Sequence, residues 1–105
     1  MNDVEYDELT DSVLLAVEEA IEKLDLDLDY ENHGGLLSIS FPDHSKIIIN
    51  KQPPLQQLWV ATKFNGHHFE YRDGLWIDNR SGSEFWQLLN DAASKQAGVT
   101  VEFAH

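Results

Sequence analysis

Cysteine is absent from this 105-residue chain. Its absence excludes disulfides, thiolate metal sites, a cysteine nucleophile and iron–sulfur ligation of the all-cysteine type. Basic residues are scarce. Seven Lys and Arg stand against nineteen Asp and Glu, for a net charge of −12. Binding to a phosphate backbone needs a basic surface, so nucleic acid is excluded as a partner. Long apolar runs are missing as well: no stretch approaches the roughly 18–20 apolar residues of a membrane span. The opening Met1-Asn2-Asp3-Val4-Glu5-Tyr6-Asp7-Glu8 is acidic and lacks the basic start of a secretory signal. These features point to the cytoplasm and to no membrane. Hydrophobic residues make up 42% of the chain, with three Trp, five Phe and three Tyr. That suits a single domain over residues 1–105 with one modest core and argues against disorder.

The negative charge is unevenly placed. Residues 1–31 hold twelve acids and one base, Lys23, a balance of −11; residues 32–105 hold seven acids and six bases, a balance of −1. Such an acidic block suits cations or a basic protein surface as partner. Across 4–24, Tyr6, Leu9, Val13, Val17, Ile21 and Leu24 recur at steps of three and four, with Leu14 and Ala20 widening the stripe. That spacing predicts an amphipathic helix. Asp7, Asp11, Glu18, Glu22 and Asp25 fall in one line on its other face, flanked by Glu8 and Glu19.

The period then changes to two. Leu26, Leu28 and Tyr30 alternate with Asp25, Asp27, Asp29 and Glu31, which predicts a strand over 25–31 with its carboxylates outward. Asn32-His33-Gly34-Gly35 is a turn signal. Further strands follow at 37–41, 46–51, 56–63, 67–72 and 75–78. Pro53-Pro54 breaks the third. Asn65-Gly66 predicts a type I′ hairpin turn, and Asp73-Gly74 another turn. Ser81-Gly82-Ser83-Glu84 fits a capping box with Ser81 as N-cap. It opens a helix whose inner stripe is Phe85, Leu88, Leu89 and Ala92 and whose stop is Gly98. Val99–Phe103 is an extended tail. The fold class is α+β: a two-layer α/β sandwich, with two terminal helices packed on one face of an antiparallel sheet of about six strands.

Carboxylates in a line are hard ligands without a cage, so water fills the remaining positions and binding is weak and unselective. An ordinary solvated face carries charge runs too. Here the like-charged pairs at three and four residues, against Glu19–Lys23 alone, cost about 1–2 kcal/mol net at roughly 0.2–0.5 kcal/mol each. Solubility does not require such clustering. Trp59 fits two registers: on the open sheet face if Leu58 and Val60 face the core, or inside if the register is inverted. An exposed Trp is a contact anchor; Trp76 and Trp86 serve packing. His67-His68 point to opposite faces of a strand and do not share one metal easily. His33, in the turn after Glu31, is the best auxiliary ligand, with His44 a second exposed-turn histidine and His105 terminal. Neither a phosphate-binding Gly-rich loop nor an H-E-x-x-H motif is present, so the chain is not expected to be an enzyme.

The stretch Ser45-Lys46-Ile47-Ile48-Ile49-Asn50-Lys51-Gln52 followed by Pro54-Leu55 is distinctive. So is Gln57-Leu58-Trp59-Val60-Ala61-Thr62. With Glu18-Glu19, Gly34-Gly35, Trp76-Ile77, Arg80-Ser81-Gly82 and Phe85-Trp86, these strings resemble the bacterial frataxins, the CyaY family, along nearly the whole chain. The resemblance implies the sandwich derived above. It also implies an iron-binding regulator of iron–sulfur cluster assembly. Such a protein holds ferrous and ferric iron weakly, with other hard cations able to substitute, and docks a cysteine desulfurase. The cluster scaffold protein is a further expected partner, and the expected state is a monomer that oligomerises with iron. The alternatives are an iron chaperone or storage protein and, behind them, a ferroxidase, which lacks the expected buried His/Glu di-iron set. The expected metal ligands are Asp3, Asp7, Asp11, Glu18, Glu19, Glu22, Asp25, Asp27, Asp29, Glu31 and His33. The expected partner-binding residues are Glu18, Glu19, Glu22, Asn50, Lys51, Gln57 and Trp59, and the family pattern favours Trp59 on the open face.

Overall fold

Helix α1 (Asp3–Lys23) begins at Asn2, whose side-chain oxygen accepts the Glu5 N–H at 2.8 Å in this computed structural model, which describes residues 1–103. His105 lies outside the described residues. The start is one residue earlier than the apolar pattern suggests, because the Asn2 cap and not the first stripe residue sets it. Its buried line runs through Tyr6, Thr10, Leu14, Val17, Ala20 and Ile21. Leu9, Val13 and Leu24 are only partly buried. The stripe is rotated because Thr10 is inside. Its hydroxyl donates to the Tyr6 carbonyl at 2.8 Å, which satisfies the buried polar atom.

The chain then forms β1 (Asp29–His33), β2 (Leu36–Ser40), β3 (Lys46–Gln52), β4 (Gln57–Ala61), β5 (Gly66–Arg72) and β6 (Leu75–Asp78). They make one antiparallel meander in the order β1-β2-β3-β4-β5-β6. The strand expected over 25–31 starts only at Asp29. Asp29 pairs with Ser40, the last residue of β2, so residues 25–28 have no neighbour to bond with. The Leu28 N–H instead closes a tight turn onto the Leu26 carbonyl at 2.9 Å. Leu28 is still buried and Asp25 and Asp27 still exposed, so the inward and outward sets survive without the strand.

Two hairpins use left-handed pairs, Gly34-Gly35 (φ +56° and +92°) and Asp73-Gly74 (φ +50° and +85°). Asn65-Gly66 does not form the expected I′ turn, since neither residue has positive φ. The Thr62 hydroxyl accepts the Phe64 and Asn65 N–H groups at 3.1 and 3.0 Å and moves the loop to 62–65, leaving Gly66 to open β5 opposite Ala61. Pro53–Leu55 is a 3-10 turn ending at left-handed Gln56, so β4 starts at Gln57.

Helix α2 (Phe85–Ala97) is capped by Glu84, not Ser81. The Glu84 carboxylate accepts the Trp86 and Gln87 N–H groups at 2.9 and 3.1 Å. The Ser81 hydroxyl donates to Asp78 Oδ2 at 2.9 Å, which holds 81–83 in the preceding turn. Gly98 (φ +73°) ends the helix as expected, and Val101 and Phe103 bury the tail. Both helices cover the sheet face that carries Leu37, Ile39, Ile47, Ile49, Leu58, Val60, Phe69 and Trp76. Each such side chain contributes about 1.5–3 kcal/mol of burial. No helix among the described residues is long and apolar enough to cross a membrane.

Candidate functional site: an acidic ridge and the open sheet face

The outer side of α1 carries the expected carboxylates. Asp3, Asp7, Asp11, Glu19 and Glu22 are exposed and Glu18 is half-buried. The two halves of the helix meet different strands. Near its start, Lys51 of β3 is engaged by Asp11 and lies 3.7 Å from Asp7. The Lys51 stem runs past Gly35, where a Cβ would come within 3.1 Å of Lys51 Cδ. Toward its end, the Asn32 side chain donates to Glu18 Oε2 at 2.7 Å and the Tyr30 hydroxyl donates to Glu22 Oε1. That hydrogen bond, with some desolvation and the nearby charges of Glu22 and Glu18, pushes the Tyr30 phenol up to about 12. Lys23 forms no ion pair among the described residues, so the expected Glu19–Lys23 pair is not made. The cation that relieves α1 is Lys51, from another element. Among the described residues Glu18, Glu19 and Glu22 have no such partner.

Tyr30 and Asn32 stand opposite core-facing Ile39 and Leu37, so they lie on the helix side of β1. Asp29, Glu31 and His33 stand opposite Ser40, Ser38 and Leu36 on the other face. Glu31 Oε2 lies 3.1 Å from His33 Nε2. The ridge is therefore two carboxylate rows flanking the edge strand, with Tyr30 and Asn32 between them. It does not run as one line from helix to strand. Among the described residues no three His, Asp or Glu side chains converge to enclose an ion. The arrangement offers side-by-side oxygen donors, and an ion held by them would take its remaining ligands from water.

On the open sheet face, Asn50 of β3 pairs with Trp59 of β4. Leu58 and Val60 are buried, so Trp59 faces outward. The Trp59 indole N–H donates to Gln57 Oε1 at 2.8 Å, and its ring stacks on His68 with centroids 4.2 Å apart. Asn50, Gln57 and Trp59 thus come together as the grouping expected. Lys51 does not join them: it is one residue on in β3, points to the helix side, and its side chain is only 15% exposed. Sequence reasoning missed Tyr30 and Asn32 as ridge fasteners. Tyr30 counted only as an apolar inward residue, yet a phenol and an amide alternating with carboxylates was the available signal.

Comparison with known proteins agrees with this fold. A family model described as a frataxin-like domain matches residues 1–99. The iron–sulfur cluster assembly protein CyaY of Pseudoalteromonas atlantica is 61% identical over 103 residues, covering 98% of this chain and 95% of that protein. The CyaY of Colwellia psychrerythraea is 57% identical, covering 92% of each. Among solved structures, the frataxin of Psychromonas ingrahamii superposes with a TM-score of 0.92 at 48% identity over 100% of both chains. A trimeric frataxin of the yeast Saccharomyces cerevisiae, complexed with ferrous iron, reaches 0.70 at 29% identity, over 90% of this chain and 86% of that one. The chain belongs to the frataxin-like family, in its bacterial CyaY branch.

Proposed function

We propose that this chain is an iron-binding regulator of iron–sulfur cluster assembly, a single domain over residues 1–105 working in the cytoplasm without catalysis of its own. Its acidic ridge docks a cysteine desulfurase, and Trp59, with Asn50 and Gln57, adds contact on the open sheet face. The observation that carries the proposal is the uncompensated carboxylate set at the end of α1. Glu18 and Glu22 are pinned by neutral donors, Asn32 and Tyr30, and Glu19 is exposed beside them. Neutral donors fix these side chains without cancelling their charge, which keeps a negative field available to a basic patch. The named CyaY relatives supply the assembly context, and the yeast frataxin solved with ferrous iron supports iron as the cation.

Ferrous and ferric iron bind the same ridge weakly, and other hard cations substitute, because oxygen donors without a cage select poorly. Iron bridging the ridges of two copies gives an iron-dependent route from monomer to oligomer. The cluster scaffold protein is a further partner.

The test is a binding assay with purified desulfurase at low and high salt. The triple variant E18K/E19K/E22K is expected to lose binding while staying folded by circular dichroism. Wild-type binding is expected to weaken as salt rises. Retained affinity in the triple variant would sink the electrostatic docking.

A further inference from the structure

The chain holds six asparagines, and only Asn65 is followed by glycine. An asparagine can react with its own backbone: the N–H of the next residue attacks the side-chain amide carbon. A fold restrains that attack by bonding the amide, by bonding the attacking N–H, or by crowding it with a Cβ. The other five asparagines all precede a residue with a Cβ, and each has a further restraint. The Asn2 side chain accepts the Glu5 N–H, Asn32 donates to Glu18, Asn79 donates to Glu70, and Asn90 Oδ1 accepts the Phe103 N–H at 2.9 Å. At Asn50 the attacking group would be the Lys51 N–H, which donates to the Gly35 carbonyl at 3.0 Å.

Asn65 escapes all of these restraints. It is exposed, as is Gly66, and it bonds through its backbone: its N–H donates to the Thr62 hydroxyl at 3.0 Å and its carbonyl accepts the Thr62 N–H at 2.9 Å. Its side-chain amide has no hydrogen bond among the described residues. Thr62 and Asn65 are thus a bonded pair, so Ala61 and Gly66, the next pair, belong to the non-bonded kind. The Gly66 N–H then points away from β4, to the side of β6, and β6 pairs with β5 only from Phe69 onward. The Asn65 carbonyl also accepts the Thr62 hydroxyl at 3.1 Å. When the Gly66 nitrogen loses its proton, amide resonance places negative charge on that carbonyl oxygen, and the two donors from Thr62 stabilise it.

We propose that Asn65-Gly66 is a site of spontaneous covalent modification in the folded protein. The Gly66 nitrogen, after losing its proton, forms a bond to Cγ of Asn65. The Cγ–Nδ2 bond breaks, ammonia leaves, and a five-membered succinimide remains. Water opens that ring at either carbonyl, giving aspartate or, with the backbone rerouted through the side chain, isoaspartate at 65. Each product carries one further negative charge, in a cleft of about 280 Å³ that Asn65 shares with Lys95.

The folded full chain is incubated in mildly alkaline buffer and followed by isoelectric focusing and peptide mapping, with a sample unfolded in urea alongside. A single more acidic species is expected, with aspartate or isoaspartate at 65 and the other five asparagines intact. Its rate is expected to rise with pH, because the attacking nitrogen must first lose its proton. Isomerisation at Asp73-Gly74 moves no charge, so the acidic shift does not report it. Asn65→Gln is expected to lose the species. So is Gly66→Ala, whose added Cβ meets nothing within 4 Å, at a φ that is not positive, and so leaves the hairpin folded by circular dichroism. A folded chain that keeps the Asn65 amide while the urea-unfolded chain loses it would overturn the proposal. So would a first acidic species arising at another asparagine, or one forming in Gly66→Ala as fast as in wild type.

Discussion

Tyr30 shows how one side chain gives the ridge its geometry. Counted by hydropathy it belongs inside, yet its hydroxyl reaches Glu22 and fastens β1 to the end of α1. The carboxylate favours the protonated phenol, so the folded state binds that proton more tightly than the unfolded chain. The resulting stability is present below the ordinary value of 10 and is lost as pH rises toward about 12. A tyrosine-resolved NMR titration of wild type is expected to find Tyr30 ionising near 12, and Glu22→Gln is expected to bring it back toward 10. Saturating Ca²⁺ is expected to lower it too, by drawing Glu22 charge away from the phenol. If Tyr30 titrates identically in Glu22→Gln, the bond does not exist in solution. Lys51 teaches a related lesson. In sequence it adjoins Asn50 and sits near Gln57 and Trp59, but strand alternation turns it to the other face, where it pairs with Asp11 and approaches Asp7. The repulsion along α1 is thereby relieved at its start and left standing at Glu18, Glu19 and Glu22.

At the scale of elements, local side-chain bonds decided the boundaries that periodicity left open. The alternation of apolar and polar residues was enough to read six strands and two helices in order, because core packing enforces a period of two or 3.6. It could not read where a ladder ends. Residues 25–28 continue the alternation of β1 but lie beyond the last residue of β2, so their pattern is satisfied by burial of Leu28 alone. Thr62 and Asp78 likewise capture hydrogen bonds that displace the 62–65 loop and the α2 cap. Both act across a turn, where no period exists to reveal them. The cap makes a direct test. Glu84→Ala is expected to cost about 0.5–2 kcal/mol in urea unfolding, the usual range for losing an N-cap. Ser83→Ala, which leaves both Glu84 bonds in place, is expected to change stability by less. The reverse order would contradict Glu84 as the cap.

Across the whole molecule, charge and packing are segregated. The sheet and both helices share one core on one sheet face, and most of the negative charge lies along α1 and β1 at one edge. The carboxylates of the ridge were legible from spacing on the helix. The division of the ridge by the edge strand was not, since it depends on which face of β1 meets α1. The open face with Trp59 became legible once Leu58 and Val60 were taken as core. The pairing of His67 with Asp78 was hidden because the two lie eleven residues apart. On the proposed function, one basic partner touches both the negative edge and the aromatic sheet face. The most direct test is a residue-resolved NMR titration of the labelled chain with ferrous iron under nitrogen and, separately, with cysteine desulfurase. Iron is expected to perturb Glu18, Glu19, Glu22 and residues 25–33, and desulfurase the same set together with the Trp59 indole. Perturbations centred on α2 and the C-terminal tail, with the ridge silent, would contradict the account.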